Sequence, residues 1–354
     1  MLWSTTTVGF FGGCRQMSVS RRSFLAATGM TAGAASFGWP ELADAAGPNW
    51  LRHRILDVFR KLPGELSLKI VAPPHAGKRG LVVEHQPCKR LFIGSAFKAF
   101  VLCEALRQAD SSSVVETITS RSLSLNESVW SPDAPTFNPP HLAGYVSERT
   151  AMEAMILHSD NTGADMLLKL VEPNNVRRFV KSVGLNSVRI PDSTRIFVGY
   201  LLGAKDYRHF TWRDYVAAER RNAPFVNPPL NNVETLAATA DDLVTFYRNS
   251  LHGAYFKNPA TLQVFRETLA MGDAIWLMPF PLGVTAFAKG GSINVPGFHA
   301  LCVPGAMSFD NRWVYFCITL NWFARPISDP STTAAFAEAG SAALTLVKEA
   351  LSCK

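Results

Sequence analysis

The sequence has 354 residues, of which 47% are hydrophobic and 18% are charged, and its formal net charge is +7. This composition is too apolar for a disordered chain, and the length is that of one large domain or two subdomains. The lysine and arginine pairs are scattered along the chain, which argues against a nucleic-acid partner, because such binders gather their basic residues on one face.

The first 45 residues have the order of features found in an export signal. Arg21 and Arg22 precede a weakly apolar stretch rich in glycine and alanine, which ends in the Ala-Asp-Ala of residues 43–45. The segment is similar to a twin-arginine signal peptide, with Met17 as an alternative start. We expect its removal to leave a periplasmic protein of residues 46–354 without a membrane span, because no later segment has ~20 uninterrupted apolar residues.

The cysteines and histidines do not predict a metal site. The five cysteines after residue 45 are scattered and show no C-x-x-C spacing, and the eight histidines show no H-x-H or H-E-x-x-H grouping. Cys302 and Cys317 fall in two strands that are predicted to be neighbours, where an oxidising compartment permits a disulfide but buried thiols are expected. We expect no cofactor and no disulfide scaffold.

The predicted elements form three blocks along the chain after residue 45. The first block has a helix from Trp50, strands at LSLKIVA and GLVVEH, and a helix through RLFIGSAFKAFVL. The second block is mostly helical, with segments such as SERTAMEAMILHS, TGADMLLKLV, NNVRRFVKSV, TADDLVTFYRNSLHG and NPATLQVFRETLAMG. The third block has strands at VTAFAKG, FHALCV and RWVYFCITL and ends in a long alanine-rich helix.

This segregation of strands and helices favours an α+β fold. Residues 46–94 and 284–354 are predicted to build one antiparallel sheet with flanking helices, and residues 95–283 a mainly helical lobe. The crevice between them is the expected place for a functional site. Residues 197–232, rich in aromatic residues and proline, form either a lid over this crevice or a surface insertion with its own apolar cluster.

A hydroxyl and an amine interrupt the apolar run RLFIGSAFKAFVL, at Ser95 and Lys98. At helical spacing both side chains lie on one face, and a serine at a helix start meets unpaired N–H groups that would stabilise an oxyanion. An apolar setting favours the neutral form of a lysine, as a base that activates a serine requires. Taken alone, the pair is better explained by a helix-capping serine and a lysine that extends its amine to the surface.

Two later motifs change this interpretation. Ser95-Ala96-Phe97-Lys98, then Ser159-Asp160-Asn161, then Lys289-Gly290-Gly291 resembles the three-element signature of class A β-lactamases, which belong to the penicillin-recognising serine hydrolases. RLFIGSAFK and SDNTGADMLL also resemble the family beyond the motif letters. The resemblance implies a β-lactamase/transpeptidase-like fold, an acyl-enzyme mechanism and a link to antibiotic resistance.

The resemblance also implies roles for individual residues. Ser95 would be the acylated nucleophile and Lys98 its base, and the N–H groups of Ser95 and Ser292 would form the oxyanion hole.

Three further positions would handle the substrate and its leaving group. Ser159 would relay a proton to the leaving nitrogen, and Asn161 would hold the amide side chain of the substrate. Lys289 would attract a substrate carboxylate, and Gly291 and Ser292 on the same strand would bind the substrate, with Ser292 as an alternative donor to that carboxylate.

The sequence departs from the family pattern in two places. Gly290 stands where a hydroxyl residue usually follows the lysine, which removes one hydrogen bond to a substrate carboxylate. The glutamate that activates water for deacylation is expected near Thr194 or Arg195, and no carboxylate is there. Asp192 is the nearest candidate, or simply a turn residue. His299 either points into the site as a carboxylate partner or packs within the sheet.

Three functions remain open from the sequence. The first is a monomeric serine β-lactamase that hydrolyses a small-molecule β-lactam through an acyl-enzyme at Ser95. The second is a D-alanyl-D-alanine peptidase-like enzyme, or another amidase or esterase, that acts on a cell-wall peptide or ester. The third is an envelope protein that binds penicillin and turns it over slowly. The missing glutamate favours the second and third, whereas the likeness around Ser95 and Ser159 favours the first.

Overall fold

The structure is a computed structural model that describes residues 49–77 and 79–352. The export signal predicted for residues 1–45 and the cysteine at position 353 lie outside the described residues. The strands are β1 (Glu65–Ala72), β2 (Leu81–His85), β3 (Leu91–Phe92), β4 (Ser122–Leu125), β5 (Gly144–Ser147), β6 (Ala237–Ala238), β7 (Thr285–Ala288), β8 (Gly291–Val295), β9 (Phe298–Phe309) and β10 (Arg312–Trp322).

The helices lie mostly between the strands of the two chain ends. They are α1 (Asn49–Val58), α2 (Lys98–Gln108), α3 (Val114–Ser120), α4 (Glu148–Leu157), α5 (Asn161–Val171), α6 (Pro173–Ser182), α7 (Thr194–Leu201), α8 (Trp212–Arg220), α9 (Ala240–Leu251), α10 (Pro259–Ala270), α11 (Ala274–Leu277) and α12 (Pro330–Ser352). No helix within residues 49–77 and 79–352 has both the length and the apolar character needed to cross a membrane.

The main sheet is antiparallel and is built from both ends of the described chain, which confirms the predicted α+β fold. Its strand order is β2-β1-β10-β9-β7, and β8 also pairs with β9. Helices α1 and α12 pack together over one face of the sheet, where the buried side chains of Ile55 and Leu344 meet strand residues such as Phe316. Each buried side chain of this size contributes about 1.5–3 kcal/mol. Helix α9 packs against the other face of the sheet.

The ladder between β9 and its two edge partners is interrupted opposite Lys289. Ala288 pairs with Gly305 and Gly291 pairs with Cys302, so the register continues across the gap and sets Lys289 opposite Pro304. A proline has no N–H to donate to a ladder. The backbone N–H of Lys289 instead donates to a side chain, with 3.1 Å between Lys289 N and Tyr247 Oη.

The region predicted as one helix from Arg90 starts differently. Residues 91–92 form β3, which pairs with β6, and a 3₁₀ turn over residues 94–97 leads into α2 at Lys98. The prediction was wrong here because Gly94 has a φ of +50°, a conformation that ends a strand but cannot continue a helix.

The three cysteines Cys103, Cys302 and Cys317 are free and buried, as predicted for structural thiols. Cys302 aligns with Thr319 across β9 and β10, and its Sγ lies 3.1 Å from Thr319 Oγ1. Cys88 is disulfide-bonded. Among the residues that the structure describes, no group of three or more His, Cys, Asp or Glu side chains is placed to hold a metal ion.

Residues 197–232 form helical structure with an aromatic cluster and supply part of the cleft lining. They contain most of α7, all of α8 and an aromatic cluster in which the rings of Trp212 and Tyr215 lie 5.2 Å apart. Thr211 and Asp214 form a capping box that starts α8, because each side chain accepts the backbone N–H of the other. The segment also contributes Phe197 and Phe225 to the cleft described below.

Candidate active site

Ser95 lies in the 3₁₀ turn that precedes α2, half-buried between the fully buried Gly94 and Ala96. The turn is closely packed against β8. A Cβ added at Gly94 would lie 2.6 Å from Ser292 N, and one added at Gly291 would lie 1.9 Å from Ile93 O and 2.8 Å from Ser95 N. Both positions therefore require glycine, and their contact sets Ser292 beside Ser95.

Lys98 follows one turn after Ser95 and is completely buried. Its Nζ donates to Ser159 O at 2.5 Å and to Asn161 Oδ1 at 2.7 Å, and it lies 3.4 Å from Ser159 Oγ. Burial, with repulsion from Lys289 as the next cause, lowers the pKa of Lys98 to about 7. An amine with this pKa is neutral in half of the molecules near physiological pH, which suits a general base.

Ser159 lies between the two lysines. Its Oγ accepts a hydrogen bond of 3.0 Å from Lys289 Nζ, in addition to its contact with Lys98. Its φ of +56° is unusual for a residue other than glycine and costs of order 1 kcal/mol, so the surrounding contacts must hold it. This hydroxyl is thus placed to pass a proton between Lys98, Lys289 and a group bound in front of them.

Asp160 provides those contacts. Its buried carboxylate caps α5 by accepting Gly163 N at 2.8 Å, and its other oxygen accepts Thr136 N at 2.9 Å and Phe137 N at 3.0 Å. Asn161, the first residue of α5, accepts from Lys98 and donates to Pro132 O at 2.9 Å. The Ser-Asp-Asn turn is therefore fixed from both sides, with Asp160 as its structural anchor.

Lys289 is completely buried and forms an ion pair that the sequence does not predict. Its Nζ lies 2.7 Å from Asp273 Oδ2, and the other oxygen of the same carboxylate accepts Gly290 N at 2.8 Å. Burial lowers the pKa of Lys289, and Asp273 opposes this shift. Asp273 lies 16 residues before Lys289, in a turn without a distinctive pattern, so no signal in one sequence marks it.

The structure does not bring Asp192 or His299 to Ser95. Asp192 pairs with Arg177 at 2.6 Å and lines a cavity of about 520 Å³ that shares no lining residue with the Ser95 cleft. His299 is buried within β9, where it lies 2.9 Å from Asn294 Oδ1 and stacks on Trp322 at 5.1 Å. The surroundings of Asp192 are those of a turn residue with an ion pair, and the surroundings of His299 are those of a histidine packed within the sheet.

Thr194 and Arg195, where a glutamate is expected, act as anchors of α7. Thr194 N and Oγ1 donate to Asp165 Oδ1 at 2.7 and 2.8 Å, and burial raises the pKa of Asp165. Arg195 donates to four backbone carbonyls, which belong to Glu127, Ser128, Trp130 and Phe210. The sequence did not predict a site role for Asp165, although Asp165 follows Asn161 by one turn of α5 and therefore lies on the same side of that helix.

Ser95 opens into a cleft of about 330 Å³. Its walls are mostly apolar, and the polar side chains among them are those of Ser95, Asp133, Asn161, Thr194, Ser292 and Asn294. Among the described residues that line the cleft, Ser95 is the hydroxyl that stands three positions before a lysine of lowered pKa, as a nucleophile and its base require.

A family model described as the "Beta-lactamase enzyme family" matches residues 51–294. The chain therefore belongs to the β-lactamase enzyme family. No curated protein sequence matches the chain.

Solved structures of class A β-lactamases share the fold. A β-lactamase from Xanthomonas campestris pv. campestris is 19% identical, with a TM-score of 0.61, and the match covers 86% of this chain and 96% of that chain. A class A β-lactamase from Mycobacterium abscessus is 16% identical, with a TM-score of 0.62 over 86% of this chain and 100% of that one. The TLA-3 extended-spectrum β-lactamase is 14% identical, with a TM-score of 0.64 over 86% and 99%.

Proposed function

We propose that this protein is a serine hydrolase that forms an acyl-enzyme at Ser95 and opens the amide bond of a β-lactam. One observation carries the proposal: the buried Lys98, with a pKa lowered to about 7, is joined through Ser159 to the buried Lys289. The expected hydrolase class follows from the family, and the serine mechanism is our inference from this cluster.

The cluster supports a sequence of proton transfers that balances. Ser95 Oγ attacks the carbonyl carbon and its proton passes to neutral Lys98, while the N–H groups of Ser95 and Ser292 stabilise the oxyanion. Ser159 Oγ then gives a proton to the leaving nitrogen, and the C–N bond breaks. Ser159 is reprotonated from Lys98. Water finally cleaves the ester at Ser95 and releases the acid.

The test is to mix the protein with a chromogenic cephalosporin and to follow colour and intact mass together. Rapid colour with little retained adduct supports a β-lactamase. The Ser95→Ala variant should lose both signals, whereas colour or adduct in that variant would refute the assignment of the nucleophile. The absence of both signals from the unaltered protein would refute β-lactam acylation.

A second candidate is an amidase, esterase or D-alanyl peptidase-like enzyme. The observation that favours it is the cleft wall at Thr194, where a threonine stands in place of the expected glutamate and its hydroxyl donates to the buried Asp165. Acylation then proceeds as above, but release is slow with β-lactams and fast only with the proper substrate. A long-lived cephalosporin adduct on Ser95 is the result that distinguishes this candidate.

We also propose that the enzyme works outside the cytoplasmic membrane as a monomer. The support is the twin-arginine-like segment of residues 1–45 and the cell-wall or antibiotic nature of the expected substrates. Fractionation of cells that express the full chain, with and without a Lys-Lys replacement of Arg21 and Arg22, tests the export, and light scattering tests the monomer.

A further inference from the structure

A second cavity lies beside the Ser95 cleft and shares no lining residue with it. Its volume is about 520 Å³, within the range of sites that hold small organic molecules. The chain segment of residues 234–236 separates the two, because Glu234 and Thr235 line the cavity whereas Leu236 lines the cleft. The cavity is therefore a separate place for a ligand.

Part of the cavity lining is apolar. Val180 comes from α6, and Leu185, Val188 and Ile190 come from the loop that follows this helix. All four side chains are buried, with exposed fractions between 1% and 6%. A ligand with a hydrocarbon part is favoured here, because contact with such a surface removes apolar area of both partners from water.

Basic side chains outnumber acidic ones in the rest of the lining. The cations are Arg177, Lys181, Arg189 and Arg208, and the carboxylates are Asp192 and Glu234. Arg177 pairs with Asp192 at 2.6 Å. Burial raises the pKa of Glu234, and the charges of Arg177 and Arg208 oppose this shift. Two cations, Lys181 and Arg189, are therefore left without a carboxylate among the lining residues.

Lys181 and Arg189 have nitrogen atoms available to a ligand. Lys181 Nζ makes no hydrogen bond or ion pair with any residue that the structure describes. Arg189 uses only Nη1, which donates to two backbone carbonyls of its own loop at 2.9 Å. Arg90 reaches the rim of the cavity, where its Nη2 donates to Asn232 Oδ1 at 3.2 Å. Burial lowers the pKa of Arg189, and repulsion from Arg90 lowers it further, so an anion at this place would relieve the repulsion.

We propose that this cavity binds a small organic phosphate monoester, with the phosphate at Lys181 and Arg189 and the organic group against the apolar lining. A phosphate matches the planar donor fork of arginine, and its second pKa of about 6 gives it close to two negative charges at neutral pH. These charges match the two excess cations, whereas a monoanion leaves one of them unpaired. The site is independent of the chemistry at Ser95, because none of its residues lines that cleft.

Calorimetric titration of the protein with phenyl phosphate, at about pH 7.5 where the ester is a dianion, tests the site. We expect a dissociation constant below about 1 mM. Phenyl sulfate has the same shape and one charge fewer, and inorganic phosphate lacks the apolar group, so each should bind about tenfold more weakly. Equal binding of either control, or no binding of phenyl phosphate up to about 10 mM, would overturn the proposal.

Three variants test the location of the site, with circular dichroism to verify the fold. Lys181→Gln and Arg189→Gln should each weaken the binding of phenyl phosphate about tenfold, because each removes one charged donor. Arg178→Gln is the matched control, since Arg178 lies on the same helix as Lys181, contacts Asn175 and does not line the cavity. Its effect should stay below about twofold.

The variants also define the results that contradict the site. An equal loss of binding in all three variants would show a general attraction of anions to this face and refute a specific site. Unchanged binding in either Lys181→Gln or Arg189→Gln would refute the placement of the phosphate. Neither result depends on whether Ser95 forms an acyl-enzyme.

Discussion

The two walls of the Ser95 cleft are built on different principles. Behind one wall, Lys98, Ser159 and Lys289 form a connected set of proton donors and acceptors, with distances between 2.5 and 3.4 Å. At the other wall, Thr194 donates its hydroxyl hydrogen bond to Asp165, and Arg195 donates to backbone carbonyls. The first wall is equipped for proton transfer, and the second is equipped for rigidity.

This difference separates the two halves of the proposed reaction. Formation of an acyl-enzyme needs the first wall, where Ser159 Oγ joins Lys98 and Lys289. Release of the acyl group needs a base for water, and the second wall offers a hydroxyl bound to a buried carboxylate instead. We therefore expect mutations in the first wall to change acylation and mutations in the second to change the fold or the lifetime of the adduct.

The largest effect is expected for Lys98→Met, which keeps the length of the side chain and removes the amine. The rate of adduct formation should fall by about a thousandfold, within the range for loss of a positioned base. Quenched-flow mass spectrometry with the cephalosporin measures it. Lys69→Met is the matched control, because Lys69 pairs with Asp241 away from the cleft and its loss should leave acylation unchanged. Equal effects in both variants would argue against a base role.

A purely steric change should have the next largest effect. The Cβ of Gly291→Ala would collide with Ile93 O and force β8 away from Ser95. A displacement of this kind at a reacting centre lowers the rate roughly a hundredfold. In contrast, Ser292→Ala keeps its backbone N–H and should acylate nearly normally. Normal acylation by Gly291→Ala, measured as adduct formation over time, would show that the close contact of β8 with the Ser95 turn is dispensable.

Acylation should depend on pH through Lys98. Because the neutral amine is the base and its pKa is about 7, the rate should rise about tenfold per pH unit below pH 7 and level off above it. Adduct formation measured from pH 5 to pH 9, with circular dichroism to verify the fold, gives the profile. A rate that falls as the pH rises through 7 would contradict the assignment of the base.

The smallest functional effects are expected behind the second wall, at Asp165, and away from the cleft, at Asp192. Asp165→Ala leaves three donors of Thr194 and Arg195 without their acceptor and should lower the free energy of unfolding by about 2–4 kcal/mol. Asp192→Asn weakens its partly exposed ion pair with Arg177. Because surface pairs contribute at most about 1 kcal/mol, the free energy of unfolding should fall by less than that, and the lifetime of the adduct should not change. Urea denaturation and intact mass measure both, and a changed lifetime in Asp192→Asn would restore it as a candidate base.

The sequence pattern predicted the fold well for long buried strands and for the last helix. The apolar runs LSLKIVA and RWVYFCITL mark β1 and β10, which are largely buried, and the apolar positions of the last helix mark α12. It did not mark β3 or β6, each of which is two residues long. Short or exposed strands are specified by their partners, and one sequence does not show partners.

The site was predictable only where its residues sit in motifs. Lys98, Ser159 and Lys289, one from each motif, lie within hydrogen-bond distance through Ser159, because each motif is local and the fold joins them. Asp273 and Asp165 were not predicted, since they act through distant contacts that have no spacing rule. Asp192 was placed by nearness along the chain, and the structure turns it toward Arg177 instead.

The proline opposite Lys289 makes the catalytic edge dependent on both parts of the chain. In an uninterrupted ladder, the backbone of Lys289 would bond only to the neighbouring strand. Here its backbone N–H donates to Tyr247 and its side chain pairs with Asp273, and both partners come from the segment before the last strands. The lysine can be in place only after these segments have docked. A chain cut between Asp273 and Lys289 should therefore give two fragments that do not acylate. Recovery of acylation when the fragments are mixed would report their reassembly.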